Sequence, residues 1–148
     1  MTDVWFYHLE RSSADQVLPE LLERTLQRGW RALVRTGDLA RLGPLDEHLW
    51  AYRPDSFLPH GRADEPRAEQ QPVVLTTDEE NANRADVLFL LDGADPGPLD
   101  GYQRCVLLFD GRNEDELAAA RALWSGFRKQ GLSVSYWKQG ERGWEKMQ

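Results

Sequence analysis

Three imidazoles and one thiol are the side chains most suited to chemistry in this chain. His8, His48 and His60 fall on three different predicted elements. None sits in an H-x-x-x-H or H-E-x-x-H pattern, so the paired histidines of a zinc site are missing. Cys105 is the single cysteine, which rules out an internal disulfide and a Cys-rich metal site. It lies in the apolar run Cys105–Phe109, the setting of a small buried hydrophobe. Asp46 and Glu47 are adjacent carboxylates. They read either as an acid pair or, more simply, as charges near the first turns of a helix. No serine lies in a G-x-S-x-G elbow.

A phosphate cradle is absent as well. Neither G-x-G-x-x-G nor G-x-x-x-x-G-K-[ST] occurs at a predicted strand end. Thr36-Gly37-Asp38 would place a carboxylate where a phosphate would sit. The expectation is a protein with no catalytic residues, no metal and no cofactor. The competing expectation is a small-molecule or nucleotide-binding α/β enzyme with an unrecognised site. A deep polar pocket at the strand ends would favour the enzyme, and shallow apolar patches would favour a binding protein.

Two stretches have the residue types for recognition. Leu42, Leu45, Leu49 and Tyr52 recur at helical steps, and Pro54 stops that helix. The following Ser56–Gly61 is too apolar for an ordinary loop and too proline-marked for a central strand. Trp50 and Phe57 flank this break. They are either core residues or one exposed patch with Leu58 and Pro59. Further on, Arg121, Trp124 and Arg128 stand at i, i+3 and i+7 and share one helical face. Either Trp124 is buried with the Arg121 stem across it, or the two form a binding surface. From Arg121 to Gln148 six cations meet two anions, a local +4 in a chain of net charge −7. A basic end on an acidic body suits a local anionic partner and disfavours broad nucleic-acid binding.

These residues need elements to position them. Val4–Leu9, Trp30–Arg35, Val73–Thr76, Val87–Leu91, Cys105–Phe109 and Leu132–Trp137 read as strands. Val87–Leu91 and Cys105–Phe109 are apolar throughout, as in strands covered on both faces. Helices are predicted over Ala14–Gln27, capped by Ser13 or Asp15 and ended by Gly29, and over Glu114–Gln130, capped by Asn113 and ended by Gly131. Asp38 is the candidate cap of the helix carrying Leu45. Asp78–Arg84 is expected to turn through a short helix, Arg62–Gln71 and Asp92–Gly101 to be surface loops, and Gly140 and Gly143 to bracket a turn before Trp144. The alternation predicts a parallel α/β sheet with helices on both faces and right-handed crossovers, in a single domain over 1–148. No run is long and apolar enough to span a membrane, and Met1-Thr2-Asp3 leads straight into a strand, so a cytoplasmic protein is expected.

Leu45–Trp50 (LDEHLW) followed by Ser56–Gly61 (SFLPHG), with Gln71-Pro72-Val73, resembles the chi subunit of bacterial DNA polymerase III, an accessory protein of the clamp loader. The opening Val4–Leu9, the Gly29-Trp30-Arg31 turn and the run from Ala120-Arg121 to Phe127-Arg128 are similar too. The resemblance implies a Rossmann-like three-layer α/β/α sandwich with a mostly parallel central sheet. It implies a non-catalytic adaptor in DNA replication, with one surface for the psi subunit and one for the acidic C-terminal tail of single-stranded DNA-binding protein. Trp50 and Phe57, with Leu58 and Pro59, match the psi positions. Arg121 and Trp124 match the tail positions, with Arg128 added by helical geometry and Trp144 as a residue that closes the site. Asp110 departs from the pattern, standing where an apolar neighbour of the tail is expected. DNA would then be met only indirectly.

Overall fold

The apolar runs centred on Phe89 and Leu107 have no polar face to offer water, and the sheet is built around them. A computed structural model of the protein describes residues 2–52, 58–141 and 143–147. Eight strands form one sheet: β1 (Asp3–Leu9), β2 (Ala32–Thr36), β3 (Gly61–Arg62), β4 (Val73–Thr76), β5 (Val87–Leu91), β6 (Arg104–Asp110), β7 (Ser133–Gly140) and β8 (Gly143–Lys146). Their order is β3-β4-β2-β5-β6-β1-β7-β8. All neighbours are parallel except β7 and β8, which form an antiparallel hairpin.

Helices α1 (Ala14–Gln27) and α2 (Leu42–Ala51) cover one face, where Leu18, Leu22, Leu45 and Leu49 pack on Tyr7, Val34, Phe89 and Leu108. Helix α3 (Glu114–Lys129) covers the other, with Ala120 and Phe127 against Val4, Phe6, Leu107 and Phe109. The three layers and the mostly parallel sheet are those of a Rossmann-like α/β fold. Truncating Leu18 or Leu22 to Ala would cost about 2–5 kcal/mol, the usual loss for a fully buried leucine.

The predicted caps are in place. The Ser13 hydroxyl accepts from the Gln16 amide in a capping box, Asn113 caps α3, and Gly29 and Gly131 follow their helices at positive φ. Asp38 caps a one-turn 3-10 helix, Leu39–Arg41, that leads into α2 rather than capping α2 itself. Asp78–Arg84 does not form the expected helix. The Asn81 side chain bonds the Ala85 amide, and the buried Asn83 donates to the carbonyls of Ala32 and Gln71. Those side-chain bonds compete with helical ones and win. Between β5 and β6 no helix crosses over. The segment 92–103 runs along the α3 side instead, held by the buried Arg35 guanidinium, which donates to the carbonyls of Asp95 and Pro96 and to those of Asp78 and Glu79.

Candidate functional site

Strand alternation aims Phe6 and His8 of β1, Phe109 of β6 and Tyr136 of β7 at α3. Tyr136 stacks parallel on Phe6 at 6.4 Å. Its hydroxyl lies 2.6 Å from His8 Nδ1. Glu10 Oε1 stands 2.6 Å from His8 Nε2, close enough for an ion pair but not aligned as a hydrogen bond. Gly111 permits this packing, because a Cβ there would fall 1.8 Å from the His8 ring. Burial raises the Tyr136 pKa, and the Arg121 charge partly offsets that.

Upon this aromatic floor α3 lays Trp124, edge-to-face with Phe6 at 5.4 Å and with Tyr136 at 5.6 Å. Trp124 is half-buried: one edge packs in the core and the other lines a cleft. The cleft, about 340 Å³, is walled by Phe109, Leu117, Ala120, Trp124 and Tyr136, with Arg121 and Ser125 at its mouth. Arg121 is exposed, and among the described residues no carboxylate lies within ion-pair reach of it. Arg128 Cζ lies 5.7 Å from the centre of the Trp124 ring. The structure therefore brings Arg121, Trp124 and Arg128 together. Asp110 does not intrude. Its carboxylate accepts from the Arg112 amide and from Arg112 Nε, both at 2.9 Å, and that hydrogen bonding holds it below the usual carboxylate range. Phe109 supplies the apolar neighbour instead.

Trp144 is not part of this cleft. The β7–β8 register sets Gln139 opposite Trp144, on the face of the sheet away from α3, where Trp144 packs edge-to-face on Tyr7 at 4.7 Å. A hairpin residue can reach only the face its register allows. Tyr136 and Phe109 were missed in the sequence, because a strand residue shows which face it takes only once its neighbours are known.

The second expected surface divides differently. Trp50 is 50% exposed at the end of α2, its ring 4.4 Å from the His60 ring. His60 is buried, with Nδ1 2.7 Å from the Leu58 carbonyl and Nε2 3.0 Å from Asp46 Oδ1. It thus holds the loop to α2. Leu58 is 2% exposed and belongs to the core, so it anchors the loop rather than offering itself to a partner. Pro59 is half-buried beside a cleft of about 300 Å³ that also includes Trp50 and Arg62. Phe57 lies outside the described residues, as does Pro54.

At the carboxyl ends of the strands the crevice is filled by the protein's own charges. Arg41 donates to Asp15 and to Asp92 Oδ2, and the Thr36 hydroxyl donates to the same Asp92 oxygen at 2.7 Å. Those hydrogen bonds, Asp15 first, raise the Arg41 pKa. A cleft of about 310 Å³ beyond β4 is lined by Asp64, Asp78 and Glu80, which would repel a phosphate. A larger groove, about 710 Å³, opens at the amino ends, where segment 95–103 meets the second half of α3. Among the described residues no group of three His, Cys, Asp or Glu is placed to hold a metal, and no helix is long and apolar enough to cross a membrane.

A family model described as "DNA polymerase III chi subunit, HolC" matches residues 1–135, which include α3 and exclude β8. The DNA polymerase III subunit chi of Pseudomonas aeruginosa is 32% identical over 111 residues, covering 73% of this chain and 77% of the relative. That of Escherichia coli is 29% identical over 99 residues, 62% of this chain and 67% of the relative. The probable DNA polymerase III subunit chi of Rickettsia prowazekii is 27% identical over 89 residues, and there the match spans about half of the relative, 54%, and 60% of this chain. The match over almost the whole chain places it in the family of DNA polymerase III chi subunits, proteins of DNA replication.

Proposed function

We propose that this chain is a non-catalytic adaptor that joins the clamp loader, through psi, to single-stranded DNA-binding protein. The observation that carries this reading is the α3 cleft: an arginine that no described carboxylate reaches stands over an apolar hollow walled by Trp124, Tyr136 and Phe109. A tail that ends in acidic residues, a proline and a phenylalanine with a free carboxylate asks for that pair of features. The guanidinium of Arg121 clamps the carboxylate in two parallel hydrogen bonds, and the terminal ring enters the cleft. Arg128 and Lys129 attract the aspartates. Trp144 takes no part, for it lies behind the sheet.

The test is a titration of a labelled tail peptide. Arg121→Ala should cost about 2–3 kcal/mol of affinity, the range of a hydrogen-bonded charge pair. Arg121→Lys should recover only part. A peptide without its terminal phenylalanine should bind wild type and Arg121→Ala alike, and weakly. Equal affinity in every pairing would sink the assignment.

On the second surface the exposed Trp50 supports a psi contact, with Pro59 and Phe57 beside it in sequence. The double variant Trp50→Ala, Phe57→Ala should stay folded and lose clamp-loader association, at roughly 2 kcal/mol per anchor. An unfolded double variant would return both residues to the core. Leu58 is removed from the contact and assigned to the fold.

A further inference from the structure

The face of the sheet opposite α3 carries its own row of aromatic rings, with cations threaded between them. Arg28 Cζ lies 4.0 Å from the centre of the Trp30 ring. Arg104 Cζ lies 5.3 Å from that ring and 3.8 Å from the centre of Trp5. Trp5 packs on Trp137 at 6.0 Å, and Lys146 Nζ stands 5.9 Å from the Trp137 ring. The contacts form one belt, Arg28–Trp30–Arg104–Trp5–Trp137–Lys146. It runs from the start of β2 past β6, β1 and β7 to β8. Five strand spacings of about 4.8 Å make that span roughly 24 Å.

Two features set the belt apart from ordinary core. Arg104 Nε and Trp137 Nε1 are buried donors without an acceptor. Such donors are rare in folded proteins, and each asks what it is for. Among the described residues, moreover, no carboxylate lies within ion-pair range of Arg28, Arg104 or Lys146. Arg24, beside them, is already paired with Glu20 at 2.7 Å. Burial, and then the charge of Arg28, push the Arg104 guanidinium below its ordinary pKa, and the charges of Tyr7 and Asp3 offset this only in part. A small cleft of about 100 Å³ opens at this point between α1 and the sheet, with Trp5, Trp30, Arg28 and Arg104 in its wall.

We propose that this belt is a low-affinity contact for single-stranded nucleic acid. Phosphates meet Arg28, Arg104 and Lys146, and bases stack on the rings and guanidinium planes between them. Unpaired bases and a phosphate backbone use both halves of the pattern. An acidic peptide would use the cations and leave the row of indoles without a role. A net charge of −7 on the chain keeps the contact weak and strongly salt-dependent. The belt lies behind the sheet from Arg121, so it neither needs nor competes with the tail site.

The experiment is fluorescence anisotropy of a labelled oligothymidine titrated with the full chain, alongside quenching of tryptophan emission. Binding should appear at low salt in the micromolar range, with quenching. Three phosphate contacts predict a slope of about −2 in log K against log salt. Arg28 and Lys146 are exposed, so Arg28→Gln with Lys146→Gln should keep the fold, lower affinity at least about tenfold and bring the slope toward about −0.7, the value for one remaining contact. Arg121→Ala should bind the oligonucleotide like wild type. The proposal is overturned by no binding at low salt, by unquenched emission, by an unchanged double variant, or by a duplex binding as well as the single strand. A polyglutamate peptide that loses as much affinity as the oligonucleotide in the double variant would make the belt an acidic-peptide site instead.

Discussion

Arg41 and Arg121 show how differently this fold treats two guanidiniums. Arg41 stands at the carboxyl ends of the strands, where an open α/β sheet usually takes its ligand. There Asp15 and Asp92 claim its donors, and Thr36 completes the cluster. Arg121 stands on α3 above an apolar cleft, and no described carboxylate reaches it. The difference is one of supply. Where the chain provides the counter-charge, an arginine serves stability, and where it does not, as at Arg121, we propose that it serves a partner. Arg35 is the extreme of the first kind, wholly spent on four backbone carbonyls.

Arg35 therefore gives the largest expected effect. It is 2% exposed and pins both the β4–β5 connection and segment 95–96. Arg35→Met keeps the volume but leaves four part-buried carbonyls without their donors. The loss should be about 4 kcal/mol, in the range reserved for a broken buried network. Urea unfolding would read it as a shift in midpoint at unchanged slope. A loss below about 1 kcal/mol would mean that the two segments hold themselves, and the contrast with Arg121 would weaken.

The sequence showed some of this and not the rest, for definite reasons. Strands β5 and β6 were visible because the runs Val87–Leu91 and Cys105–Phe109, buried on both faces, are apolar at every position. Caps at Ser13 and Asn113 were visible because their chemistry is local. Arg35 was not, since a buried arginine inside a strand looks like any charge until the carbonyls around it are known. The two-residue β3 carries no periodicity at all. Trp144 was placed in the wrong company because its face depends on the β7–β8 register, which the glycines at 140 and 143 permit but do not dictate. Leu58 and Trp50 look alike in sequence, yet one is core and the other half-exposed, a choice made by how His60 ties the loop to Asp46. In the α3 site the helix contributed residues that spacing could group, and the strands contributed Phe109 and Tyr136, which it could not.

Arg41 should give an intermediate effect. Its partners are each about a quarter exposed, so water screens part of the interaction. Arg41→Met should cost about 2 kcal/mol, less than the 3–5 of a fully buried pair. The loss should shrink when Asp92 is also changed to Asn, because the second change removes one of the stranded charges. A double-variant cycle measures that coupling directly. Additive losses would mean that Arg41 and Asp92 are neighbours without being partners.

The smallest effect belongs to Arg121, and it is the sharpest arm of the comparison. An exposed arginine without a carboxylate contributes little to the fold, so Arg121→Ala should leave unfolding free energy within about 0.5 kcal/mol of wild type. Its charge should still be felt by Tyr136. Burial raises the pKa of that phenol and Arg121 lowers it, so removing Arg121 should move the Tyr136 ionisation further up. The linkage has a definite sign. A phenol whose folded pKa lies above its unfolded value stabilises the protein below the unfolded pKa, about 10, and that stability drains as pH rises toward the folded value. Wild type and Arg121→Ala should thus be equally stable at neutral pH. Both should weaken above pH 10, and the variant should be the steeper, because its phenol holds the proton longer when folded. Ultraviolet titration of tyrosinate, with Tyr136→Phe as the control, would follow the phenol, and unfolding at several alkaline pH values would follow the stability. An ionisation that stays put, or moves down, would mean that an anion already neutralises Arg121 in the free protein, and the arginine would then belong with Arg41.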